Sequence, residues 1–189
     1  MNLVSVEQAV ELLENGKIIG IPTDTVYGLG VNPHNRIAID DLFDLKRRPV
    51  DKPIGLLAAS QEALVGWVAL PDWAAPLIER YWPGPLTLVC AAGPLLPDGI
   101  GDPERRTVGV RVPDHDVARA LLRVTGPLAV TSANLSGQPE CLSSEVAHAL
   151  LGAKIAGYIP GNADLGVAST VIDVTGQHPV VLRSGPVLS

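Results

Sequence analysis

Four groups of residues in this chain have types and spacings suited to holding anions and hydroxylated small molecules. The stretch PTDTVYGLG, residues 22–30, follows an apolar run and gathers two threonines, an aspartate and a tyrosine ahead of Gly28 and Gly30. Glycine takes backbone angles that other residues avoid and lets a ligand come close to the main chain. A buried strand that opens into a hydroxyl-rich loop is a common wall of a small-molecule pocket. Taken alone, the stretch also fits an ordinary turn. The box KRRPVDKP, residues 46–53, sets Lys46, Arg47, Arg48 and Lys52 close together. The negative end of a helix macrodipole favours one or two such cations. Four crowded like charges repel unless an acid or an anion offsets them, and Asp51 offsets one. A polyphosphate would offset more, and arginine grips phosphate oxygens in a fork. Helix capping and anion binding both remain open for this box.

The third group is TSANLSG, residues 131–137, at the end of an apolar run. Ligands bind at such strand ends in open α/β sheets. Ser132 and Asn134 carry donors and acceptors for phosphate oxygens, a ribose or a base edge, and the same residue types serve as helix N-caps. The fourth group is Arg111 in VGVRVP, with Ser169 in ASTVID and Arg183 in VLRSGP. A cation in an apolar strand must reach a partner, because an unpaired buried charge is costly. A ligand carboxylate or an internal aspartate would serve.

The elements that must carry these groups follow from periodicity. Ser5 with Gln8 forms a capping-box pattern, and Val6, Ala9, Val10 and Leu13 make a helical stripe that Gly16 can end. Strands are predicted at 17–22, 54–58, 86–91, 107–112, 128–131, 155–159, 170–174 and 180–182, and helices at 36–46, 61–67, 73–82 and 117–124, with a further helix that follows Ser143-Ser144-Glu145 and runs to Leu151. Residues 94–106 lack periodicity and read as a mobile loop. Strands alternate with helices over most of the length and the tail is β, which predicts an α/β fold with a mixed sheet.

The 189 residues, 47% hydrophobic, suit a single domain over 1–189 with a sizeable core. The abundant Gly (19) and Pro (17) favour short elements over a long helical bundle. Cys90 and Cys141 lie in no metal-ligand pair and read as apolar fillers in a reducing cytoplasm. The first residues lack a secretory signal pattern, and no apolar stretch is long enough to span a bilayer. A net charge of −6 argues against a surface that grips nucleic acid all over, though not against a local basic cleft. The four histidines are scattered, no GxxxxGK[ST] loop occurs, and no carboxylate cluster marks a metal cage.

The ordered set PTDTVYGLG, KxRP at 46–49, WPGPLT at 82–87, VGVRVP, SANLSG, STVID and LRSGP resembles the YrdC/Sua5 family of threonylcarbamoyl-AMP synthases in its single-domain form, over nearly the whole chain. The resemblance implies a twisted mixed parallel/antiparallel sheet flanked by helices, with a concave basic cleft. It implies synthesis of threonylcarbamoyl-AMP and pyrophosphate from L-threonine, bicarbonate or carbon dioxide, and ATP. A separate complex would then transfer the group to tRNA, and Mg2+ would accompany the ATP. Carried over by position, Thr25, Arg111 and Ser169 match threonine-binding residues. Lys46, Arg48, Ser132 and Asn134 match the nucleotide side, with Lys52, Thr107 and Arg183 at further ATP contacts. Leu57 stands where many longer members have a histidine that touches threonine. The resemblance assigns no protein nucleophile or general base. Alternatives are a tRNA- or RNA-binding protein of the same fold, a carbamoyl-transferring domain of the hydrogenase-maturation kind, and a paralogue without turnover.

Overall fold

Apolar residues that alternate along 86–92 set the pattern of the fold. Leu86, Leu88 and Cys90 are fully buried, while Thr87 and Val89 between them are half-buried. Successive side chains of a strand point to opposite faces, so this segment has one sealed and one open face. The computed structural model describes residues 1–46, 53–135 and 137–187. Its helices are α1 (Val6–Glu14), α2 (Arg36–Lys46), α3 (Ala75–Tyr81), α4 (Asp116–Thr125) and α5 (Ser144–Leu151). Its strands are β1 (Ile19–Ile21), β2 (Gly28–Val31), β3 (Gly55–Leu57), β4 (Val68–Ala69), β5 (Leu86–Ala92), β6 (Thr107–Arg111), β7 (Leu128–Ser132), β8 (Gly157–Tyr158), β9 (Thr170–Asp173) and β10 (Val180–Arg183).

Among the described residues the strands form one ten-stranded sheet, ordered β10-β9-β5-β6-β3-β7-β2-β1-β8, with β4 paired to β5 beside that path. The pairs β1/β8, β3/β6 and β5/β9 are parallel and the others antiparallel. The chain thus forms the mixed sheet flanked by helices that its pattern predicts.

The two faces are covered unequally. On one, Ile39 and Leu42 of α2, Ile78 of α3 and Ala147 of α5 belong to a cluster with Leu29, Leu56, Leu88 and Val110. On the other, Leu13 of α1 and Leu121 and Leu122 of α4 pack with Ile19, Ile21, Leu57 and Leu128. This second cluster stops at Leu57. Further along the same face, Gly109 of β6, Thr87 and Val89 of β5 and Val171 of β9 line a cavity instead of meeting a helix. The termini that hold the covering helices are well capped. Ser5 Oγ accepts from Gln8 N and Gln8 Oε1 accepts from Ser5 N, completing the capping box of α1. Ser143 Oγ accepts from Val146 N at the start of α5.

Three local expectations give way to tertiary demands. Residues 28–31 read as loop because of their glycines, yet they form β2, between β1 and β7. Pairing on both sides, with β1 and with β7, carries these residues into the sheet against the poor strand propensity of glycine. The helix predicted over 61–67 is a single 3-10 turn, Glu62–Leu64, followed by β4; Gly66 at φ 82° ends any helical continuation. The segment 94–106, read as mobile, is irregular but tied down. Leu95 N donates to Gly66 O at 2.9 Å, Gly101 N to Ile54 O at 3.0 Å, and Asp102 and Thr107 exchange backbone bonds at 2.7 and 3.2 Å. Asp102 Oδ1 accepts from Glu104 N and Arg105 N, and Arg105 NH2 donates to Asp173 Oδ2 at 2.8 Å. These bonds anchor a segment that has no periodicity to announce them.

Candidate functional site

The cavity on the half-open face has a volume of about 290 Å³. Its floor is nearly free of side chains because Gly28, Gly55 and Gly109 from three strands line it together. A Cβ on Gly55 would lie 2.7 Å from the Gly109 carbonyl oxygen, so these strands approach as they do only with glycine there. Val89, Val130 and Leu57 supply apolar wall. Leu57 therefore faces the cavity.

Polar groups reach this cavity from both ends of the chain. Arg111 ends β6 and is 6% exposed. Its NH1 donates to Asp24 Oδ1 at 2.5 Å and its NH2 to Thr23 Oγ1 at 3.2 Å. Thr23 Oγ1 in turn donates to Val26 O at 2.7 Å and lies 3.1 Å from Thr25 Oγ1. Burial pulls the Arg111 guanidinium below the usual arginine value, and the charge of Asp24 opposes that pull. Across the cavity, Ser169 Oγ lies 2.7 Å from Thr87 Oγ1 and accepts from Arg183 NH2 at 3.2 Å, while Arg183 Nε donates to Ser169 O at 3.0 Å. Arg183 thus reaches in from the edge strand β10. Desolvation lowers its pKa, the nearby charge of Glu140 acts against that, and Arg111 adds to it. Glu140 lines the cavity with the two arginines.

The loop after β7 forms a third wall. Lys46, the last residue of α2, is 1% exposed and turns inward. Its Nζ donates to the carbonyl oxygen of Ser132 and, at 3.1 Å, to Asn134 Oδ1. Asn134 Oδ1 also accepts from Ser132 Oγ at 2.6 Å, and Asn134 Nδ2 donates to Gln138 O at 2.5 Å. The lysine therefore ties the end of α2 to the loop that presents Ser132.

Of the residues singled out from sequence, Thr25, Arg111, Ser169, Ser132 and Arg183 line this one cavity. Lys46 and Asn134 stand immediately behind Ser132, bonded to it, outside the lining. Thr107 starts β6 on the face of Gly109 and Arg111, and its backbone pairs with Asp102; it too lies outside the lining. Arg48 and Lys52 lie outside the described residues. The structure adds Thr23, Thr87 and Glu140 to the lining. Alternation against the buried Leu86 and Leu88 could have found Thr87; nothing local marks Glu140. Burial pushes Cys90 up to about 12 and raises Cys141 as well, so neither is a thiolate near neutral pH.

Comparison with known proteins shows the family and the fold. The Sua5/YciO/YrdC family model, described as telomere recombination, matches residues 11–185. A Mycobacterium tuberculosis relative is 42% identical over 181 residues, 95% of this chain and 83% of its own length. The threonylcarbamoyl-AMP synthase of Bacillus subtilis is 40% identical over 187 residues, 95% of this chain and 53% of its own. The crystal structure of Pyrococcus abyssi Sua5 complexed with L-threonine superposes with a TM-score of 0.89 at 39% identity, covering 94% of this chain and 53% of that one. The chain thus spans about half the length of the Bacillus and Pyrococcus proteins. With a model match over nearly all its residues and relatives near 40% identity, the chain belongs to the Sua5/YciO/YrdC family.

Proposed function

We propose that this protein is an L-threonylcarbamoyladenylate synthase, a nucleotidyltransferase that joins L-threonine, carbon dioxide or bicarbonate, and ATP, releasing pyrophosphate. One observation carries the proposal: Thr25, Arg111 and Ser169, on the amino-acid side, share a single small cavity with Ser132 and Arg183, on the nucleotide side. Support comes from relatives near 40% identity named threonylcarbamoyl-AMP synthase and from the structure of one of them with L-threonine.

The chemistry divides into two steps. The neutral amine of threonine adds to carbon dioxide and loses a proton, giving a carbamate. A carbamate oxygen then attacks the α-phosphorus of ATP, the bond to the bridging β-phosphate oxygen breaks, and pyrophosphate leaves. No side-chain nucleophile is required. The protein's task is alignment and relief of repulsion between an anionic nucleophile and a triphosphate. Arg111 would hold the threonine carboxylate, with the hydroxyls of Thr25 and Ser169 beside it. Ser132 and Arg183 would meet phosphate oxygens, with Lys46 and Asn134 setting the shape of the Ser132 loop. Arg48, Lys52 and Thr107 join the nucleotide side through the family resemblance. Magnesium, bound with the nucleotide, would neutralise phosphate charge; Glu140 is the carboxylate of the described lining that could meet it.

A small cavity floored by glycine and apolar groups favours small substrates over an RNA strand. Cytoplasmic location, and delivery of the product to a separate tRNA-modifying complex, complete the proposal. No helix among the described residues is long and apolar enough to cross a membrane. Incubation with ATP, L-threonine and bicarbonate should yield threonylcarbamoyl-AMP by mass spectrometry with matching pyrophosphate. Pyrophosphate release that ignored threonine, or none at all, would overturn the assignment.

A further inference from the structure

We propose that Asp24 is a positioning residue for the amino-acid substrate: from behind Arg111 it fixes the guanidinium so that one edge stays available to a substrate carboxylate. The proposal rests on Arg111 as the carboxylate-binding group and goes beyond it by assigning what aims that group.

Asp24 is 4% exposed and does not line the cavity, whereas its neighbours Thr23 and Thr25 do. The loop therefore turns two hydroxyls toward the ligand space and one carboxylate away from it. The pairing with Arg111 is end-on. One carboxylate oxygen takes NH1, the Thr23 hydroxyl takes NH2, and Asp24 Oδ2 is buried with no partner among the described residues. A pair serving stability alone would match both oxygens to the guanidinium fork. Leaving a buried acceptor unmatched carries a cost, and such an atom calls for an explanation.

The end-on arrangement explains it. Each terminal nitrogen of arginine carries two N–H groups. Asp24 and Thr23 use one on each, so each keeps another that a ligand carboxylate can accept. A fork-to-fork pair with Asp24 would take as many N–H groups but would hold the guanidinium through one side chain; the split pairing adds Thr23 as a second anchor that fixes its orientation. Thr23 is itself immobilised, because its hydroxyl donates to Val26 O and accepts from Thr25 N at 3.3 Å. Both anchors of the guanidinium thus come from one braced turn, and among the described residues no other hydrogen-bond donor shares the Asp24 side chain.

The test measures L-threonine and ATP dissociation constants by titration calorimetry on the full chain as wild type, Asp24→Asn, Thr23→Val, Arg111→Met and Asp24→Asn/Arg111→Met. The asparagine keeps volume and an acceptor but removes the charge. Threonine binding should weaken about tenfold in Asp24→Asn and roughly threefold in Thr23→Val, with ATP affinity held within about twofold. In the Arg111→Met background, Asp24→Asn should cost nothing further, since its effect passes through the guanidinium. Threonine bound as tightly or more tightly by Asp24→Asn would overturn the proposal, as would equal losses of ATP and threonine or an undiminished loss in the Arg111→Met background. Should Asp24→Asn fail to fold, the threonine-selective loss in Thr23→Val decides the matter. Wild-type protein that bound no threonine would bring down the reading of the site itself, whereas wild-type binding with an unaffected Asp24→Asn would sink the positioning role alone.

Discussion

Replacing Lys46 by methionine should loosen the Ser132 loop more than it disturbs the fold. Methionine keeps most of the length and packing of a side chain that is 1% exposed. The ammonium bonds to Ser132 O and Asn134 Oδ1 disappear. Bonds to a charged group contribute about 1.5–3 kcal/mol each, so about 3–6 kcal/mol is lost. Against this, the variant no longer holds a buried cation, whose desolvation costs several kcal/mol. The net should be a destabilisation of about 2 kcal/mol, which in a domain of this size lowers Tm by roughly 4–8 °C. Asn134 Oδ1 retains its bond from Ser132 Oγ, so the loop loses its tie to α2 and keeps its internal one. Thermal melts by circular dichroism, with ATP titration of the folded variant, should show that modest drop beside an ATP dissociation constant raised at least about tenfold, equivalent to about 1.4 kcal/mol. An unchanged Tm would refute the tie between helix and loop. A folded variant with wild-type ATP affinity would refute the placing of this loop at the nucleotide.

Two further outcomes probe the frame of the site. Gly55→Ala puts a Cβ 2.7 Å from the Gly109 carbonyl oxygen, and strand backbone cannot move aside easily, so urea denaturation should show a loss of about 1–3 kcal/mol; wild-type stability would mean that the floor is less tightly set than described. Asp173 carries an acid-dependent contribution. Burial pushes its pKa up, but bonds from Thr175 and Arg105 outweigh this, and the net shift is below the ordinary 3.8. A lowered folded pKa gives stability that is full above the unfolded value and lost as pH falls through the folded one. Asp173→Asn should therefore flatten the stability profile below about pH 4, and an unaltered acid limb would refute the assignment.

Much of this protein is legible in its residues alone. The Ser5–Gln8 cap, the alternation of Leu86, Leu88 and Cys90, and the helical stripe of α1 are local patterns, set by contacts within a few positions, and they form as read. The motif residues Thr25, Ser132, Arg111, Ser169 and Arg183 are marked by their motifs and by the family resemblance, and the fold brings them to one cavity. What the chain could not declare locally is which partner each polar group takes. Arg111 in an apolar strand demanded either a ligand carboxylate or an internal aspartate; the sheet order sets it beside Asp24, 87 residues away, while leaving it on the cavity wall. Lys46 read equally as an exposed cap or an anion ligand, and only the meeting of α2 with the loop after β7 turned it inward. The glycines of β2 signal a turn by propensity, yet pairing with β1 and β7 on both sides holds them in the sheet. Propensity and periodicity act over a few residues, whereas close approach and charge pairing depend on strand order, and strand order belongs to the folded chain as a whole.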